Sequence, residues 1–344
     1  MDPRGHHARE VRSDAPARLA DEPSTLACPA AGFGGPHSQA RAAPLPGPQA
    51  VRRPTLGDDC WILSGPTASG KTALAVPLAR RLGAEIVSVD SMAVYRGLDI
   101  GTAKPTPAER QAVRHHLVDV VGPEEPYSVA RWLADAADAV EDCRSRGRRV
   151  LFVGGTPLYL RALRDGLDPL PGGDPELRRR LEEELAASST QTLHDRLSAV
   201  DAAAAARIHP HDARRIVRAL EVATHGGGAV PGSWRESATA QARFAAGMMI
   251  IDLPRRLLYE RIDRRVEEMF AAGIVDEARA ADARAGGIGP TARQAAGYSE
   301  ALEVAAGRLD VAAAVRLTQR RTRQLAKRQL TWLRGFRDAV WITA

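Results

Sequence analysis

The residues Gly65-Pro66-Thr67-Ala68-Ser69-Gly70-Lys71-Thr72 follow the spacing G-x-x-x-x-G-K-[ST]. Glycines in such a loop let successive backbone N–H groups turn inward and surround phosphate oxygens. Lys71 supplies a point charge, and the Thr72 hydroxyl is a candidate ligand for Mg2+ bound with the phosphates. The loop binds a phosphate chain without inspecting the molecule that carries it. Most such loops serve nucleoside triphosphates. Here, however, the apolar run 150–153 ends in Gly154-Gly155-Thr156, with no acid where Mg2+ is usually held. Asp119 is a candidate substitute, and no N-K-x-D guanine-reading segment is present. A second chemical group is Asp90, which ends the run Ile86-Val87-Ser88-Val89. A carboxylate at a strand end beside a phosphate loop can take a proton from a nucleophile or hold a metal through water. Asp also caps turns, so spacing alone leaves both readings open. For His115-His116 packing or capping is the ordinary role, and no metal is assigned to them.

These groups need elements that bring them together. Cys60-Trp61-Ile62-Leu63-Ser64 is a short apolar run leading into the loop, and 71–82 reads as a helix. The runs 86–89, 118–121 and 150–153 read as further strands, with Ser128 capping a helix that reaches about Arg146. Strands alternating with helices at this spacing predict an α/β fold, a P-loop NTPase-like parallel sheet flanked by helices. From Asp174 to about His225 the spacing is helical, through Leu177, Leu181, Leu185, Ile216 and Leu220. Residues 226–232 read as a loop and 248–252 as a strand returning to the sheet. Leu258, Ile262, Val266 and Phe270 then share one helix face, and 340–342 reads as a last edge strand. The expected organisation is an extension over 1–55, a core over 56–173, an all-helical insertion over 174–245, and a return to the core over 246–344.

Composition narrows the classes. Residues 1–55 are rich in Pro, Gly, Ala and Arg and lack any apolar period, which predicts disorder. No apolar run approaches the ~18 residues of a membrane span, so no membrane association is expected. The start carries Asp2, Glu10, Asp14, Asp21 and Glu22 without an apolar stretch, unlike a secretory or transit peptide. Cys28, Cys60 and Cys143 lie far apart, which points to a reducing, cytoplasmic setting. Only Lys71, Lys104 and Lys327 are lysines among 48 basic residues. Coding bias toward Arg explains this, and it also makes each Lys a weak pointer to a site wanting a compact ammonium. Between Arg316 and Arg337 eight basic residues and no acid stand against a whole-chain charge of +6, so the rest of the chain sums to −2. At helical spacing Arg316, Arg320, Arg323, Lys327 and Arg334 share a stripe, with Val311, Val315, Leu325, Trp332 and Leu333 roughly opposite. Such a stripe can face a polyanion.

The run from Leu63 to Tyr159 resembles the tRNA dimethylallyltransferases, also called tRNA isopentenyltransferases. The matching pieces are 65–72, Asp90-Ser91-Met92, Val94-Tyr95-Arg96-Gly97, 99–105, His115-His116-Leu117, Tyr127-Ser128-Val129-Ala130 and Val153-Gly154-Gly155-Thr156. Further on, Ile208-His209-Pro210, Arg215-Ile216, 218–222, Gln294-Ala295, Gly297-Tyr298 and 326–332 continue the series in order. The resemblance covers nearly all of 57–343, and all three lysines fall within its pieces.

The resemblance implies transfer of a dimethylallyl group from dimethylallyl diphosphate to N6 of the adenosine 3′ to the anticodon, in tRNAs reading codons that begin with U. It implies that Asp90 takes the N6 proton and that Thr156 contacts the target. Residues 65–72 would hold the diphosphate with Mg2+. Ser91, Met92, Ala93 and Arg178 would meet tRNA. So would Arg214, Arg215, Ile216, Val217, Arg218, Gln294, Ala295, Ala296, Gly297, Tyr298 and Ser299. The implied partners are the tRNA anticodon stem-loop and the diphosphate donor, met by a monomer without an obligate protein partner. Three departures stand out: Ala93 replaces the usual Gln, His211 the usual Asn, and Ser299 the usual basic residue. Two other classes compete. A P-loop kinase would turn over ATP without tRNA, and a non-enzymatic RNA binder would keep a dead loop, against which the intact 65–72 and Asp90 argue.

Overall fold

The computed structural model describes residues 51–167, 173–225 and 247–343. Six strands form one sheet in the order β3-β2-β4-β1-β5-β6, with every pairing parallel. They are β1 (Cys60–Ser64), β2 (Ala84–Ser88), β3 (His115–His116), β4 (Arg149–Val153), β5 (Gly247–Asp252) and β6 (Val340–Thr343). Parallel neighbours require crossovers, and the crossover helices cover both faces. On one face α1 (Lys71–Leu82) buries Ala75 and Ala79 against Leu63, Ile86, Leu151 and Ile251. Short α2 (Pro107–Ala112) opens on a Thr106–Glu109 capping box. On the other face α3 (Val129–Ser145) and α4 (Pro157–Asp165) pack Trp132, Leu133, Val140 and Leu160 against Ile62, Val87 and Phe152. Burial on both sides is why these strands read as unbroken apolar runs rather than alternating ones.

Two expectations shift. The strand expected at 118–121 lies instead at His115–His116, because Leu117 and Asp119 both take φ +60, which an extended strand cannot contain. Val121 keeps only a single bridge, to Tyr95. Residues 51–55, expected as the end of the extension, are docked: Pro54 is buried, Arg52 pairs with Asp138, and the Thr55 carbonyl accepts from Arg144 Nη2 at 2.9 Å. Residues 1–50 lie outside the described residues.

The stretch after residue 173 is helical: α5 (Pro175–Ala187), α6 (Thr190–Val200), α7 (Ala202–Ala205) and α8 (Ala213–Thr224). They share a core of their own built from Leu177, Leu181, Leu193, Leu197, Ile216 and Leu220. Each begins at a polar side chain, Asp174, Ser189, Asp201 or Asp212, that accepts a first-turn N–H. Each such cap contributes about 1 kcal/mol. The expected loop at 226–232 and the rest of the span to 246 lie outside the described residues. After β5 come α9 (Arg255–Ala271), α10 (Ile274–Asp282), α11 (Tyr298–Ala305) and α12 (Val311–Leu333). α12 turns inward the side expected of it, but small and polar residues are the fully buried ones: Ala314, Thr318, Thr322, Ala326 and Gln329, with Leu333. Val311 is exposed, and Val315, Leu325 and Trp332 are half-buried at the edges of that face.

Candidate functional site

The phosphate loop joins β1 to α1 at the C-terminal edge of the sheet. Gly65 has φ +155, and a Cβ there would lie 2.7 Å from Ser69 Oγ and 3.0 Å from the Ile251 carbonyl, so only glycine fits. Ala68 takes φ +62, a left-handed conformation that costs about 1 kcal/mol or more in an alanine. Such strain is typical of a loop held open for a ligand. α1 starts at Gly70 with no side-chain cap, so its first N–H groups face outward to an anion. The Ser69 hydroxyl is buried without a hydrogen-bond partner among the described residues. Lys71 Nζ donates to the Gly65 carbonyl at 2.9 Å and the Pro66 carbonyl at 2.7 Å, which leaves one ammonium proton uncommitted. Burial holds the Lys71 ammonium down to about 8. The nearby Asp90 charge opposes that fall, and the Arg265 guanidinium adds to it.

Asp90 follows β2, and one of its oxygens takes the turn-capping part that the sequence left open. Its Oδ1 accepts from the Met92 N–H at 2.8 Å and the Ala93 N–H at 3.4 Å, closing a turn. Its Oδ2 has no partner among the described residues. The strand end beneath is anchored by Trp132, whose Nε1–H donates to the Ser88 carbonyl at 3.0 Å. Thr156 stands at the N-terminal end of α4, and its Oγ1 is turned away from the helix to accept from the Ser91 N–H at 3.0 Å. Lys71, Thr72, Ser88 and Asp90 line one cavity of about 70 Å3, with Ala75, Ile86, Ala93 and Val153 as its apolar wall. A larger cavity, about 610 Å3, lies on the β5–β6 side of the loop and includes Arg255, Lys327 and Arg334.

Two arginines that sequence reasoning passed over belong here. Arg261 Nη1 lies 3.6 Å from where a Cβ on Gly70 would stand. Arg265, one turn further along α9, is close enough to Lys71 and Asp90 to act on the first and be acted on by the second. Neither has a hydrogen bond or ion pair among the described residues. Burial pushes the Arg265 guanidinium below its ordinary value. The signal was present, since Arg261 and Arg265 stand four apart on a helix that follows a strand of the same sheet.

A sequence profile of the "IPP transferase" family matches residues 93–336, and one described as "Isopentenyl transferase" matches 59–122. A protein of Anaeromyxobacter dehalogenans named tRNA dimethylallyltransferase is 52% identical over 282 residues, 82% of this chain and 93% of its own length. This chain belongs to the tRNA dimethylallyltransferase family. Among solved structures, a tRNA isopentenylpyrophosphate transferase from Bacillus halodurans aligns with TM-score 0.58 at 37% identity, over 83% of this chain and 89% of that one. A eukaryotic dimethylallyltransferase described as acting on tRNA aligns with TM-score 0.65 at 25% identity, over 83% and 73%.

The segments expected to meet tRNA from membership in the dimethylallyltransferase family fall into two groups. Arg214 on α8 donates to Gln294 Oε1 at 2.8 Å, so the helical insertion and the loop before α11 meet at two of the expected residues. Ser91 and Met92 are half-buried beside Asp90, and Arg215 is exposed near Asp212. Ile216 and Val217, in contrast, are buried in the insertion core, where their apolar side chains close the α8 seam. Ala295 and Gly297 are buried, and Tyr298 is fully so, donating to Glu277 Oε1 and accepting from the Gly101 N–H. All five are buried in this structure. Ala296 and Ser299 are half-buried, and Ser299 Oγ donates to the Arg293 carbonyl. Arg178 reaches inward to Glu221, with contacts at 2.9 and 2.6 Å, and Arg218 shares that nearly inaccessible acid at 3.3 Å. Ala93 is buried, and His211 donates its N–H to His209 Nδ1. Asp119 is held by Lys104 at 2.6 Å and Arg110 at 2.7 Å. His115 bonds the Val113 carbonyl and His116 bonds Glu85. Glu85, His116 and Cys143 bring their ligand atoms within 4.8 Å of one another. Yet Arg146 already clasps Glu85 and holds its carboxyl down to about 2, while burial pushes the Cys143 thiol up to about 12. That cluster is an internal ion pair with an inert thiol.

Proposed function

We propose that this chain transfers the dimethylallyl group of dimethylallyl diphosphate to N6 of the adenosine 3′ to the anticodon in tRNA. The observation that carries the reading is the shared cavity. An ammonium with one uncommitted proton and a carboxylate with one uncommitted oxygen line the same small space, walled by apolar side chains. In the reaction the C1–O bond of the donor breaks and diphosphate leaves. The N6 lone pair forms the C–N bond, and the N6 proton passes to an acceptor. The loop N–H groups, the Ser69 hydroxyl and Lys71 hold the departing diphosphate, with Arg261 and Arg265 alongside. Donors fixed in advance at a developing charge are the most effective kind of catalytic electrostatics. Asp90 Oδ2 is the acceptor of the N6 proton, while Oδ1 stays tied to the turn. General-base assistance of this kind contributes typically 10²–10⁴-fold.

Mg2+ fits the donor set, because Thr72 offers a hard oxygen and Mg2+ is commonly held by one or two protein groups together with substrate phosphates. When bound, it would add positive charge at the diphosphate oxygens. The target base in an anticodon loop is stacked, so it must be extruded to reach Asp90. Thr156 and Ser91 border that approach. We take the enzyme to act as a monomer on tRNA in the cytoplasm.

The test supplies dimethylallyl diphosphate and ATP separately with unmodified tRNA, and follows nucleosides by mass spectrometry and diphosphate release. One diphosphate per N6-alkylated adenosine, without ATP, is the expected result. Alkylation that requires stoichiometric ATP hydrolysis would return the site to phosphoryl transfer.

A further inference from the structure

Gln329 sits on α12, separated by 262 residues from the phosphate loop and by 174 from the Gly154-Gly155-Thr156 turn, and it bonds both. Its Oε1 accepts from the Thr67 N–H at 2.8 Å, and its Nε2 donates to the Gly155 carbonyl at 2.8 Å. The side chain is 7% exposed. Its amide can point only one way, since a backbone N–H must face the oxygen and a carbonyl must face the nitrogen.

Each bond fixes a whole peptide plane, because the N–H and C=O of a trans peptide point in opposite directions. With the Thr67 N–H turned to Gln329, the Pro66 carbonyl of the same plane is turned toward Lys71 and anchors its ammonium. With the Gly155 carbonyl turned to Gln329, the Thr156 N–H of the same plane points to the Val89 carbonyl, one residue before Asp90, at 3.2 Å. The two loops touch closely at this point. A Cβ on Gly155 would lie 2.6 Å from the Gly65 carbonyl, 3.0 Å from Gln329 Nε2 and 3.5 Å from Lys71 Nζ.

We propose that Gln329 is the positioning residue that ties the donor side of the site, through Pro66 and Lys71, to the acceptor side, through Thr156 and the strand end bearing Asp90. This rests on the transfer reaction proposed above. Gln329 touches no substrate. It sets the relative placement of the group that holds the leaving diphosphate and the group that takes the proton.

Two variants separate its two bonds. Gln329→Met keeps the length and loses both. Gln329→Glu can still accept from Thr67, but it sets a carboxylate against the Gly155 carbonyl. Turnover of tRNA and dimethylallyl diphosphate is measured per folded protein, with kcat and the two KM values determined separately. Both variants should lose about 10- to 100-fold in kcat, the scale of a ~1 Å misplacement, with the KM values changed by no more than about threefold, because Gln329 touches neither substrate. Wild-type kcat per folded protein in both variants would overturn the proposal and leave Gln329 as a packing residue. A loss carried by KM alone, with kcat unchanged, would also overturn it. A wild-type enzyme that makes no N6-alkylated adenosine removes the transfer reading itself, and Gln329's role with it.

Discussion

Replacing Asp90 with Asn removes the proposed base and leaves the turn it closes. The bonds from the Met92 and Ala93 N–H groups go to Oδ1, which an Asn carbonyl reproduces, while the NH2 takes the place of the free Oδ2. The fold should be unchanged. The loss is that of general-base assistance, at least 10²-fold in kcat or about 2.7 kcal/mol of barrier. A second consequence follows from charge. Asp90 holds the Lys71 ammonium up against burial, so Asp90→Asn lowers the Lys71 value below about 8 and draws the alkaline limb of donor kcat/KM downward. Single-turnover rates at pH 6.5, with saturating tRNA and donor, keep Lys71 charged and isolate the base effect. The tRNA dissociation constant should stay within about twofold, because the missing group acts in the transition state. Asp90→Ala should also lower Tm, since two N–H groups lose their acceptor. A kcat for Asp90→Asn within threefold of wild type, at unchanged Tm, would remove Asp90 from the proton-accepting role.

Three further outcomes follow. Lys71 must be protonated to hold diphosphate and titrates near 8, so donor kcat/KM should fall about tenfold per pH unit above that value. A flat profile to pH 10 would contradict it. Arg265→Ala should raise the donor KM, lower kcat about tenfold or more, and shift the alkaline limb upward, because Arg265 pushes Lys71 down. A normal KM with an unmoved limb would place Arg265 outside the site. Changing Arg316, Arg320 and Lys327 to Gln should lower the slope of log tRNA affinity against log salt by roughly 0.7 for each phosphate no longer neutralised. These three are exposed and have no ion-pair partner among the described residues, whereas Arg323 is held by Asp263 at 2.6 Å. An unchanged slope would make the stripe a solvated face.

The phosphate-loop edge of the fold was legible because its signals are local. A glycine loop between an apolar run and a helix, and an acid at the end of the next run, are read within ten residues. What escaped was set by packing between distant segments. The strand expected at 118–121 is displaced by the left-handed backbone of Leu117 and Asp119, which apolar spacing does not reveal. Tyr298, in a segment expected to face tRNA, is fully buried because its hydroxyl is satisfied by Glu277 and Gly101. Arg178, expected to meet tRNA, is half-exposed and pairs with Glu221, an acid whose burial only tertiary packing determines. Gln329 lay inside a recognised piece of sequence, but its partners are hundreds of residues away. The buried face of α12 consists mostly of small and polar residues that apolar spacing does not single out, and Gln329 lies on it.

A crystal structure with a non-ionising thiolo-diphosphate analogue of the donor decides whether the phosphate loop holds a diphosphate whose carbon chain faces Asp90. Diphosphate oxygens are expected within hydrogen-bond distance of Lys71 Nζ and the N–H groups of 69–72, with C1 directed toward Asp90 Oδ2 and Lys71 still anchored by the Gly65 and Pro66 carbonyls. A diphosphate seated in the larger cavity among Arg255, Lys327 and Arg334, or a C1 turned away from Asp90, would contradict it.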